Sequence, residues 1–128
     1  MQVLTDNHYQ IINNLFNNAE HTIRIISPFI SESMAEKLCN VVKMKNINCI
    51  FITRFYLEDM FAKANSIDAI EMMLNAGIKL YALKGLHTKL YLFDEKYGIA
   101  GSANFTVGGF KSNVELSLLI EKDDLVLS

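Results

Sequence analysis

A mixed α/β sheet flanked by helices on both faces is the fold that this sequence predicts, on three observations. Apolar runs over 22–27, 47–53 and 78–82 alternate with amphipathic helical stretches, the pattern of parallel strands joined by right-handed crossovers. Two further runs, 88–93 and 97–100, are separated only by Asp94-Glu95-Lys96, as in an antiparallel hairpin. A last strand pattern covers 113–120. Parallel and antiparallel strands in one chain imply a mixed sheet.

Each element has a local reason. Ile11, Ile12, Leu15, Phe16 and Ala19 recur at helical spacing, so residues 7–19 read as an amphipathic helix. The strand at 22–27 is ended by Pro28. Ser33 and Glu36 form a capping-box pattern ahead of Met34, Leu38, Val41 and Val42 on one helical face. A short helix is expected over 57–64. A firmer one covers 66–76, with Ile67, Ile70 and Leu74 inward and Gly77 as its stop.

The chain reads as a single domain over 1–128, alone or as a piece of a longer protein, since its end soon after Asp123-Asp124-Leu125 is abrupt. Its 51% hydrophobic content argues against disorder. A net charge of −2 argues against a protein coated in nucleic acid, but leaves room for a local basic cleft. There is no basic start followed by an apolar run, and no stretch of the roughly 18 apolar residues that a membrane span needs. A cytoplasmic protein is expected. Cys39 and Cys49 then read as free, buried thiols, and neither has a His or Cys at zinc-ligand spacing, so metal and cofactor are both expected to be none. His8 and His21 have no motif around them and read as surface residues.

Chemistry concentrates further along. His87 and Lys89 are two apart, which in a strand puts both on one face. An imidazole can attack a phosphodiester while a fixed ammonium stabilises charge on its oxygens. This pair alone is weak, because such residues are common on exposed strands. Asp94 follows five residues after Lys89, and Gly101-Ser102-Ala103-Asn104 puts small and polar groups at a strand end, where backbone N–H groups can cradle phosphate.

Taken together, His87-x-Lys89-x4-Asp94-x6-Gly101-Ser102-x-Asn104 resembles the HKD motif of the phospholipase D superfamily. The resemblance implies a phospholipase D-like fold and a catalytic set of His87, Lys89, Ser102, Asn104, Asp94 and Glu115, the last orienting the histidine from the following strand. A hairpin turn explains Asp94 without chemistry, and that structural role carries more weight than a catalytic one. Glu115 has the competing reading of a solvent-facing carboxylate. Gly101 belongs to the phosphate cradle. Arg54 and Lys84 read as solvated charges or, functionally, as contacts to a phosphate backbone.

The family reaction uses two histidines, and this chain has one motif. The expectation is therefore a homodimer with its active site on the two-fold axis. Short single-motif chains of the superfamily most resemble bacterial endonucleases, so a metal-independent DNA endonuclease is expected. Two rivals stand beside it. A lipid phosphodiesterase or transferase lacks support from any basic amphipathic helix, and a non-catalytic DNA-binding or dimerisation module sits poorly with the complete motif.

Overall fold

A computed structural model describes residues 2–4, 8–54, 67–83, 86, 89–101 and 117–121. In chain order the elements are β1 (Gln2–Leu4), α1 (His8–Asn18), β2 (Thr22–Ile26), α2 (Glu32–Lys45), β3 (Asn48–Arg54), α3 (Ile67–Asn75), β4 (Lys79–Leu83), β5 (Leu90–Phe93), β6 (Tyr97–Gly101) and β7 (Ser117–Glu121). They build a seven-stranded mixed sheet in the order β1-β7-β6-β5-β2-β3-β4. β2, β3 and β4 are parallel; β5, β6, β7 and β1 pair antiparallel. The α/β class and the crossover and hairpin halves of the sheet are those the sequence predicts.

One face of the sheet carries the core. Ile23 and Ile25 of β2 align with Cys49 and Phe51 of β3 and with Phe93 and Tyr91 of β5. All are buried, and they join Ile12 and Phe16 of α1, Met34, Leu38 and Val42 of α2, and Ala69 and Met73 of α3 in one cluster. Phe16 meets Phe93 edge to face at 5.4 Å, docking α1 on the hairpin strand. The Cys39 thiol donates to the Met72 carbonyl at 3.5 Å and links α2 to α3. Cys39 and Cys49 are free and buried, as expected. Burial, reinforced by the nearby Cys39, pushes the Cys49 thiol up to about 12.

The ends of the helices follow from specific side chains. Asn46 ends α2 in the left-handed region at φ 54. Gly77 does the same for α3 at φ +83, with Gly77 N–H donating to Leu74 and Ile78 N–H to Met73, the paired bonds of a Schellman cap. At the end of α1, the Lys45 ammonium donates to the Asn17 and Ala19 carbonyls, where a cation suits the helix dipole.

Several local expectations need correction. The cap of α2 is Ser31, whose hydroxyl accepts from Met34 N–H at 3.4 Å; Ser33 and Glu36 lie inside the helix and are exposed. The inward face of α3 is Ala69 and Met73, not Ile67 and Leu74, which are 66% and 55% exposed. Both stripes have helical spacing, and the small Ala69 side chain permits the closer approach to α2. β1 was not expected: three residues carry no periodicity, and the strand is defined by its long-range pairing with β7. The helix expected over 57–64 lies outside the described residues. Among the described residues, no helix is long and apolar enough to cross a membrane.

Candidate active site

The sheet topology decides where the motif can gather. β2 and β3 run parallel and finish at one end of the sheet, at Ile26 and Arg54. β5 runs against β2, so it starts at that end: Ile26 aligns with Leu90. β6 runs against β5 and returns there, where Ala100 aligns with Leu90 and Gly101 N–H donates to the Lys89 carbonyl at 3.4 Å. Lys89 and Gly101 are thereby neighbours across the hairpin, and Lys89 is half-buried. β7 begins beside them, Ser117 aligning with Gly101. One end of the sheet thus collects Lys89, Gly101 and Arg54. His87, Lys84, Ser102, Asn104 and Glu115 lie outside the described residues.

Asp94 is placed elsewhere. It follows β5, whereas Lys89 precedes it, and five extended residues separate the two by about 16 Å. Its carboxylate accepts three backbone N–H bonds at the start of β2: from Glu20 at 2.8 Å, His21 at 2.7 Å and Thr22 at 2.9 Å. Its own N–H donates to the Thr22 carbonyl at 2.9 Å. Burial works against the charge, but the Thr22, His21 and Glu20 N–H groups outweigh it and hold the carboxyl below its ordinary value. Asp94 and Glu95 both take positive φ, 54° and 58°, as tight hairpin turns require. This geometry gives Asp94 the structural role weighed above: it pins the turn to β2 at the far end of the sheet, away from Lys89.

The strand ends nearest Lys89 are braced by two hydroxyls. Among the described residues, Ser27 and Thr53 are the buried polar ones. Ser27 donates to the Phe29 carbonyl at 2.8 Å, and Thr53 donates to the Pro28 carbonyl at 3.4 Å. The Ser27 N–H donates to Ile52 at 3.0 Å, tying the same turn to β3. Arg54 then lies over the Phe29 ring, its guanidinium carbon 4.6 Å from the centroid. Sequence reading marks the strand ends Ser27-Pro28-Phe29 and Thr53-Arg54, but not the ring contact or the hydroxyl bonds that join them. A serine and a threonine closing apolar strands at the same end of two neighbours was the available signal.

Comparison with known proteins agrees with this architecture. The family model described as cardiolipin synthase, PLD-like domain, matches residues 12–127. Cardiolipin synthase A of Buchnera aphidicola is 26% identical over 111 residues, covering 84% of this chain. The chain spans only 23% of that relative's length. Nuc of Salmonella typhimurium, a phospholipase D family member, superposes with a TM-score of 0.78 at 19% identity, over 98% of this chain and 86% of that one. NucT of Helicobacter pylori gives 0.73 at 19% identity, over 98% and 87%. At such identities the two structures speak for the fold.

Proposed function

This chain belongs to the family of the cardiolipin synthase, PLD-like domain, and from that membership we propose that it is a metal-independent phosphodiesterase cutting DNA as a homodimer. The observation that supports the reading is the β5–β6 hairpin, which sets Lys89 beside Gly101 at one end of the sheet. Each chain contributes one His87, one Lys89 and one Asn104 to a site on the two-fold axis.

In the reaction, one His87 attacks phosphorus and forms an N–P bond while the P–O bond to the leaving group breaks. The other His87 protonates that oxygen. The same residue then takes a proton from water, which attacks the phosphohistidine and releases the first imidazole. Lys89 and Asn104 of both chains hold the non-bridging oxygens. Glu115 fixes the imidazole tautomer. One histidine must be neutral and its mate protonated, so the rate is bell-shaped in pH, with apparent pKa values that belong to the pair.

DNA is preferred over lipid because short single-motif chains of the superfamily most resemble bacterial endonucleases, and Nuc and NucT show this fold standing as nearly a whole chain. A second reading, cleavage or transfer at a phospholipid headgroup, is supported by the cardiolipin synthase A matches. Incubation in EDTA with plasmid, single-stranded DNA, RNA and phosphatidylcholine vesicles separates them. Nicking or cutting of DNA is the expected result. Choline release without DNA cleavage selects the lipid reading, and an obligatory divalent ion overturns the histidine mechanism.

A further inference from the structure

We propose that Phe29 and Arg54 form a prebuilt clamp for a phosphate of single-stranded nucleic acid next to the one that is cut, with Phe29 acting as the positioning residue. The inference rests on the nuclease reading above and adds a specificity device to it. Three observations carry it.

The first is place. Arg54 ends β3 and Lys89 precedes β5, with β2 between them, so their backbones lie two strand spacings apart at the same end of the sheet. That is about 10 Å. The two cations are too far apart to share one phosphate through short contacts, and suitably spaced to follow a strand crossing the sheet end.

The second is construction. A buried hydroxyl without a partner is costly, and Ser27 and Thr53 both spend their hydrogen bonds on the carbonyls of Pro28 and Phe29. The turn that carries Phe29 is thus held from two strands, and the ring is fixed where Arg54 ends.

The third is chemistry. A guanidinium presents N–H donors in a planar fork that matches phosphate oxygens, and an aromatic face beneath it keeps the cation in place. A side chain already ordered on a ring also loses less rotamer freedom when it binds. Arg54 is half-buried rather than extended into solvent. A small diester has no neighbouring phosphate, so the clamp raises selectivity for a polynucleotide.

The test compares a single-stranded oligonucleotide with bis(p-nitrophenyl) phosphate, in EDTA, for the full chain. The readout is the ratio of kcat/KM for the two substrates. Arg54→Gln lowers this ratio about tenfold, the loss of one charge-assisted hydrogen bond, mainly through KM on the oligonucleotide. Its plot of log KM against log salt loses about 0.7 in slope, one phosphate contact on a single strand. Phe29→Leu lowers the ratio about threefold, and Phe29→Tyr retains it. Because Phe29 works through Arg54, the double variant is no worse than Arg54→Gln alone. Wild-type ratios in the single variants, or losses that multiply in the double variant, overturn the clamp while leaving the nuclease intact. If the wild-type protein hydrolyses the small diester and ignores the oligonucleotide, the nuclease reading itself falls and takes the clamp with it.

Discussion

The Gly101 amide donates to the Lys89 carbonyl at 3.4 Å, one step beyond the last aligned pair of the hairpin, Leu90 with Ala100. Two residues twelve apart in the chain become neighbours through a single turn. The hairpin thereby brings Lys89 and Gly101 together, and its far end is fixed by Asp94.

Lys89 should matter to chemistry more than to folding. On the proposed mechanism Lys89→Met removes the cation that stabilises developing negative charge, and the expected loss is about 10²- to 10³-fold in kcat. Urea denaturation should show a midpoint close to wild type, since Lys89 lies just outside β5 at the open end of the sheet. A large fall in the midpoint would make its role structural.

Asp94 should behave in the opposite way. Asp94→Ala strands three N–H donors at the start of β2 and should cost about 1–2 kcal/mol in stability. The lower end of that range suits the exposed donors of Glu20 and His21.

The same carboxylate links stability to acid. Its folded value lies below the ordinary 3.8, so its contribution is complete above that value and is lost as pH falls through the lower folded one. Denaturation midpoints compared at pH 7 and pH 3 should therefore converge between wild type and Asp94→Ala at the acid end. A constant gap would show that the three bonds do not depend on charge.

Gly98 sits where β6 crosses Leu92. A Cβ there would come within 2.9 Å of Leu92 Cδ2 and 3.6 Å of the Tyr91 carbonyl. Gly98→Ala should be nearly neutral, because a leucine methyl can move aside. Gly98→Val adds volume that cannot be absorbed and should cost about 1–3 kcal/mol, read from thermal melts.

Cys49 should be chemically silent in the native protein. With its thiol pushed up to about 12, almost none is thiolate at pH 8, and iodoacetamide should label it only after unfolding. Labelling at the rate of an unfolded thiol would show that the β3 core opens readily.

Much of this architecture was legible because it is local and periodic. The three crossover strands, the hairpin and the Gly77 stop each announce themselves within a few residues. The parts that were not legible are decided at long range. Asp94 finds its donors 72–74 residues earlier in the chain, so spacing identifies the turn but not what the carboxylate holds. The α3 sequence offers two apolar stripes, and only the packing against α2 selects Ala69 and Met73. Arg54 was visible as a charge at a strand end, whereas its ring partner comes from the turn after a different strand. At the site, Lys89, Gly101 and Arg54 share one end of the sheet, as a phosphate-handling role for them requires.

In the proposed reaction a histidine of a one-motif chain forms a covalent bond to phosphorus while a second copy supplies the acid. Rapid quenching of a reaction with a labelled oligonucleotide in EDTA, followed by mass spectrometry of the peptides, tests it most directly. The expected result is a phosphoryl adduct on His87, at no more than one per two chains. An adduct-free enzyme that still turns over, or a stoichiometry of one per chain, would contradict it.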